Sequence, residues 1–205
     1  MNWSDFLKNK KLLVRFTISV IGVVIILFFM THFLNFIEQR QGVILNDPIL
    51  NMLPPINLTW LIFTVIYLSL ILTISLIIKN PMSLLFAIRA YGIMIVLRII
   101  AMYLLPLNPP AGMILLNDPF VQFFGSGNIL TKDLFFSGHT ATLFLFYLLI
   151  DKKIYKNILL GLTIIIAYLV LAQHVHYSID VFAAPFFSYS AYKIAGYLSK
   201  AEKLL

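Results

Sequence analysis

The chain contains no cysteine among its 205 residues. That absence excludes disulfides, thiol nucleophiles, cysteine-ligated zinc and iron–sulfur clusters. Charge is nearly as scarce. Only 11% of residues are charged, with 8 carboxylates against 15 lysines and arginines, whereas a soluble domain carries about 25%. Apolar residues take their place, at 61% of the chain and a mean hydropathy of +0.96. Such a chain cannot hide its apolar surface from water by folding alone, so an integral membrane protein is expected. The net charge of +7 would point to nucleic acid in a soluble protein. In a membrane protein it reports orientation instead, and no nucleic-acid partner is expected.

Six apolar runs approach the roughly 20 residues that cross a bilayer: about 16–37, 58–78, 82–105, 134–150, 157–173 and 177–192. The expected fold is all-α and polytopic, one membrane domain over residues 1–205 built as a bundle of six transmembrane helices. The first run is longer than the apolar core of about 7 to 15 residues in a secretory signal and lacks a small-residue cleavage site, so it is expected to be retained. Pro54 and Pro55 announce the second run, and Lys79, Asn80 and Pro81 close it. Residues 107–131 form the longest break, rich in Pro, Gly and Asn. Within it, Phe120, Phe123 and Phe124 are expected at the membrane interface, helping to admit substrate, with Gly125 and Gly127 lending flexibility.

With six spans, Lys8, Lys10, Lys11, Arg15, Lys79, Lys152, Lys153, Lys156 and the tail with Lys193, Lys200 and Lys203 share one side; Arg40 and Lys132 fall on the other. That asymmetry predicts cytoplasmic termini and an extracytoplasmic face made by residues 38–57, 107–133 and 174–176.

Ionisable groups inside spans cost about 2.5 to 3.5 kcal/mol each on insertion scales, which makes them functional candidates. Here His139, His174 and His176 lie at the outer ends of spans four to six, with Asp180 one turn inside span six and Arg98 two turns inside span three. His176 and Asp180 are i, i+4 on a helix, so the carboxylate can accept from one imidazole nitrogen and leave the other as base or nucleophile. The plain alternative is a hydrogen-bonded pair that satisfies buried groups.

A second cluster, KDLFFSGHTAT at 132–142, opens span four. Ser137, Gly138 and Thr140 are small and polar, the amides near a helix start attract phosphate, and His139 stands beside them as an acid. A capped helix start with an interfacial histidine is the structural alternative. Arg98 supplies a cation that binds phosphate in a bidentate manner and keeps its proton. Lys132 is a further phosphate-binding candidate. Asp133 and His174 are secondary candidates, each able to orient His139 or an acceptor hydroxyl. Arg89 is expected to snorkel to the cytoplasmic surface, and His32 to serve in helix packing.

SGHT at 137–140 together with HYSID at 176–180 resembles the paired signature of the sphingomyelin synthase-like branch of the type 2 phosphatidic acid phosphatase superfamily. LRIIAMYLLPLNPP at 97–110 is similar to the arginine motif of that branch, and NDPILNMLPPINLTW at 46–60 occupies the place of its proline-rich first motif. The resemblance implies that His176 is the nucleophile, forming a phosphohistidine-type intermediate, that Asp180 orients it, and that His139 protonates the leaving alkoxide. It also implies a membrane phospholipid or phosphorylated lipid as substrate, and no metal or other cofactor. A lipid alcohol such as ceramide or diacylglycerol could serve as acceptor. The KxxxxxxRP motif and the Ser-Arg pair of the broader superfamily are absent, since Leu169 and Val170 stand upstream of His176. That leans the expectation toward transfer or phospholipase C-type release of a phospho-head group at the outer leaflet, with lipid phosphate phosphatase as the alternative.

Two other classes compete. His139, His174, His176 and Asp180 could form a nitrogen and oxygen site for zinc. A non-enzymatic lipid-binding protein or a transporter could use the same polar cluster as a relay, although no internal repeat accompanies it. The chain leaves room for an oligomer without specifying one.

Overall fold

Asparagine marks three of the helix starts. The computed structural model describes residues 1–116 and 130–201. In it the Asn2 side chain accepts the Asp5 N–H to open α1 (Trp3–Lys8), and Asn9 accepts from Leu12 to open α2 (Lys10–Gln39). α3 (Thr59–Ile77) follows without a side-chain cap. Asn80 then accepts from Met82, with Pro81 at the first helical position, where its missing N–H costs nothing, to open α4 (Pro81–Leu104). Ser137 caps α5 (Gly138–Leu149), and α6 (Lys153–Ala172) and α7 (Ser178–Ala201) complete the bundle. Among the described residues there is no strand; one isolated bridge joins Val43 to Leu107. Phe120, Phe123, Phe124, Gly125, Gly127 and Lys203 lie outside the described residues.

Among the described residues four helices are long and apolar enough to cross a membrane: α2, α3, α4 and α6. Many of their large side chains are exposed, including Phe28 at 67% and Ile71 at 64%, as a multi-pass membrane protein requires. The fourth expected run differs from its reading at 134–150. Its helix starts at Gly138 and holds 12 residues, about 18 Å at 1.5 Å per residue. Leu134, Phe136 and Ser137 precede it as buried, non-helical backbone. The reason is local: Ser137 Oγ accepts from the Thr140 N–H at 3.4 Å and from the Thr140 hydroxyl at 3.2 Å, which sets the helix start at the serine. The sixth run is longer than its reading, as α7 continues to Ala201.

α5 and α7 form the middle of the bundle. α5 packs on α6 and α7, α2 on α4, α4 on α7, and α3 on α6 and α5. Small residues allow the closest approaches: Ala141 on α5 and Ala184, Ala191 and Ala195 on α7 are all fully buried. Ser188 Oγ donates within the same layer, to the carbonyls of Ala141 at 2.8 Å and Ala184 at 3.0 Å. The helix ends near His139, His176 and Arg98 form one end of the bundle. The turn from Ile77 to Pro81 and the C-terminus of α5 form the other.

Candidate active site

The site is built where two helix starts meet. α7 begins at Ser178, so Asp180 stands in its first turn. There its Oδ2 accepts the N–H of Tyr177 at 3.1 Å, the acidic side of a capping box. The same oxygen accepts from His176 Nδ1 at 3.3 Å. A carboxylate only accepts, so this contact places the proton on Nδ1 and leaves Nε2 with a free lone pair. The second start is that of α5, and the two are joined through backbone, as the Ser137 N–H donates to the Asp180 carbonyl at 3.0 Å. His139, on the first turn of α5, faces His176 edge-on with ring centroids 6.0 Å apart. Two buried polar atoms here lack a hydrogen-bond partner among the described residues: His139 Nδ1 and Asp180 Oδ1. Buried polar atoms are almost always paired, so these two are the unsatisfied groups of the site.

Arg98 reaches the same point from α4. It is 3% exposed, and its guanidinium donates to the Phe136 carbonyl and to Asp133, the latter at 2.7 Å to Oδ1. It lies flat against the start of α5: a Cβ placed on Gly138 would stand 2.8 Å from Nη1. Only glycine permits this approach. Burial alone would raise the Asp133 carboxyl, but the Arg98 guanidinium outweighs it and holds the pKa below the ordinary 3.8. Asp133 thus stands as the ion-pair partner of Arg98.

Two sequence candidates are engaged elsewhere. Lys132 Nζ donates to the Arg40 carbonyl at 2.6 Å, and its backbone N–H donates to Glu38 at 3.0 Å. His174 sits in the left-handed region at φ 58°. Its ring nitrogens face the carbonyls of Ala111 at 2.9 Å and Leu53 at 2.8 Å. Among the described residues, no group of three or more His, Asp or Glu side chains is arranged to hold a metal ion. Of the remaining polar residues, Arg89 Nε donates to Ser19 Oγ at 3.0 Å, and His32 meets Phe28 edge-on at 4.6 Å.

The structure adds residues that motif reading missed. Asp47 binds the first turn of α7 from outside it: Oδ2 accepts the Ser178 N–H at 2.6 Å, and Oδ1 accepts the Ser178 hydroxyl at 3.0 Å. Oδ1 also accepts from Ile49 and Leu50. Burial would raise this carboxyl, and the four hydrogen bonds bring its pKa below 3.8. Gln173 accepts from the Leu58 N–H at 2.8 Å and donates to Thr59 Oγ1 at 2.9 Å. The Tyr177 hydroxyl donates to the Asn108 carbonyl at 3.0 Å. The segment 173–178 is thus tied to both preceding loops on either side of His176. A carboxylate directly before Pro48, within the proline-rich segment 46–60, was the visible signal for Asp47.

Residues 132–197 match the PAP2 superfamily C-terminal model. The match covers about a third of the 205 residues and takes in Ser137, Gly138, His139, His176 and Asp180. It supports the type 2 phosphatidic acid phosphatase superfamily, whose members are generally phosphohydrolases or phosphotransferases acting on phosphorylated lipids. No curated protein matches the chain.

Proposed function

We propose that this PAP2-like chain is a membrane enzyme that cleaves or transfers the phospho-head group of a lipid through a phosphohistidine intermediate. The observation that carries the reading is the His176–Asp180 contact at 3.3 Å, facing His139 across 6.0 Å. In the first half-reaction the Nε2 lone pair of His176 forms a bond to phosphorus. The bond from phosphorus to the lipid alcohol oxygen breaks, its electron pair leaves on that oxygen, and His139 donates a proton to it. In the second half-reaction a water or lipid hydroxyl attacks phosphorus and gives its proton to His139, the N–P bond breaks with its electron pair returning to Nε2, and both histidines are restored. Asp180 keeps the attacking tautomer in place and stabilises the imidazole as charge develops. The Gly138 and His139 amides at the start of α5 face developing charge on the phosphoryl oxygens.

Arg98 is the guanidinium at this site among the described residues, and it shares its charge with Asp133. One partly neutralised cation suits a phosphodiester with a single negative charge better than a monoester with nearly two. This favours head-group transfer or phospholipase C-type release, as in the sphingomyelin synthase-like branch, over phosphatidate hydrolysis. A six-span single domain with cytoplasmic termini accompanies the reading. Lys79, Lys152 and Lys153 lie at the end of the bundle away from His176, which supports an extracytoplasmic site.

The test is mass spectrometry of products from purified protein with a panel of phospholipids and phosphorylated lipids, with and without ceramide and diacylglycerol. A phospho-head group released or moved onto the added alcohol, and lost in His176→Ala, is the expected result. Free phosphate lost in that variant means a phosphatase. Indifference of every lipid to the substitution returns the chain to a lipid-binding role.

A further inference from the structure

A cleft of about 520 Å³ opens from Arg98, Asp133 and His139 and continues between α2, α3, α4 and α5. Its far end is closed by Ile77, Leu84 and Leu149 at the other end of the bundle. The α4 wall explains its straightness, because Leu84, Ile88, Tyr91, Ile95 and Arg98 alternate four and three residues apart and so form one stripe of the helix. From Leu84 to Arg98 that stripe rises about 21 Å at 1.5 Å per residue. One leaflet of hydrocarbon is about half of a 30 Å core. The cleft therefore runs at least the depth of a leaflet while its upper end holds the phosphate-binding chemistry.

We propose that this cleft holds one acyl chain of the lipid whose phosphate is presented to His176, a subsite that rests on the enzymatic reading above. Three observations commit it to that occupant. The cleft is continuous with the site, so a molecule filling both is anionic at one end and apolar along the rest. The mouth carries the Arg98 guanidinium, paired with Asp133, beside the amides at the start of α5, while the walls below His139 are almost wholly aliphatic or aromatic. The rims come from α2, which leans on α4, and α3, which leans on α6 and α5. Between them Leu27 at 39% exposure, Leu70 at 37% and Ile74 at 41% leave a side opening toward lipid. A chain can enter sideways without leaving the membrane, and Ile77, Leu84 and Leu149 then set the length that fits.

The experiment uses the full chain in nanodiscs with two photo-reactive phosphatidylcholines and their phosphatidic acid counterparts. One of each pair carries a diazirine at the chain end and the other beside the glycerol. Chain-end label is expected on peptides bearing Ile77, Leu84 or Leu149, and glycerol-proximal label near His139 and Thr142. Ala87→Phe fills the cleft, and Ile74→Trp narrows its rim at an exposed position that tolerates bulk. Each is expected to remove at least tenfold of the chain-end label and to shift turnover toward short-chain substrates by a similar factor. Chain-end label no stronger in the cleft than on the exposed α2 residues Ile25 and Phe28 overturns the proposal. His176→Ala separates the two readings, because it is expected to keep the label and lose turnover. Labelled cleft with no turnover in the unsubstituted chain defeats the enzymatic reading alone, and turnover without cleft label defeats the acyl subsite alone.

Discussion

The Ser137 N–H donates to the main-chain carbonyl of Asp180 at 3.0 Å. The residue that caps the His139 helix and the residue whose carboxylate contacts His176 are therefore fixed to each other through backbone, independently of any side chain. Substitutions of the reacting side chains are expected to leave this junction in place and report on chemistry. His176→Ala should abolish turnover, while Asp180→Asn and His139→Ala should each lower it by about 10²- to 10⁴-fold. Initial rates on the lipid identified by mass spectrometry, beside thermal unfolding in detergent, check this. An Asp180→Asn enzyme with the unsubstituted rate would remove His176 from the nucleophile's place.

Gly138→Ala should be disproportionately harmful. The added Cβ meets Arg98 Nη1 at 2.8 Å and Cζ at 2.9 Å, so the guanidinium must move off Asp133 and the Phe136 carbonyl. Overpacking of this kind costs about 1 to 3 kcal/mol, and activity should fall at least tenfold. Gly161→Ala is the control: a Cβ there meets nothing within 4 Å, and inside α6 it should stabilise by about 0.5 to 1 kcal/mol. Equal behaviour of the two variants in unfolding and rate would sink the assigned contact.

Acid should loosen the Asp47 clasp. Its pKa is depressed in the folded chain, so its contribution is fully present above the ordinary 3.8 and is lost as pH falls through the lower folded value. Asp133 has the same sign. Asp47→Asn is expected to be less stable at neutral pH and to show a shallower loss as pH falls below 3.8, retaining the Asp133 part of the slope. Melting temperatures across that range decide it, and an unchanged slope would assign the acid response elsewhere.

His174 allows a backbone test. At φ 58° an L side chain carries strain of about 1 to 2 kcal/mol that glycine does not. His174→Gly and His174→Ala both lose the contacts to Ala111 and Leu53, yet the glycine variant should be more stable by about 1 kcal/mol. Unfolding of the pair in one detergent measures the difference, and an alanine variant at least as stable contradicts the left-handed assignment.

The parts of the site that were legible in the sequence are those made by neighbours along the chain at a helix start, although His176 stands two residues before α7 and not on the helix that the spacing implied. His176 and Asp180 needed only i, i+4 spacing, and Ser137 before Gly138 only the preference of serine for a helix start. Arg98 was legible as a buried cation, but its partner Asp133 was not, because the two stand 35 residues apart. Lys132 was nominated by charge and position, and its contact with the Arg40 carbonyl, 92 residues away, was not legible. Asp47 and Ser178 are separated by 131 residues, and no local pattern joins them. The membrane character followed from composition, while the late start of α5 depended on one serine hydroxyl that an apolar count does not register.

The clasp between Asp47 and Ser178 also sets an order of assembly. When α2, α3 and α4 emerge from synthesis, Asp47 has only the amides of Ile49 and Leu50. Tyr177 and Gln173 are likewise still to come for the loops at Asn108 and Leu58. These attachments of the early half of the chain are therefore completed only when residues 173–178 are in place. Contacts of such long sequence separation form late and slowly. A chain interrupted before Gln173 would lack the partners of Leu58, Asn108 and Asp47 together, so one short segment completes all three loop attachments.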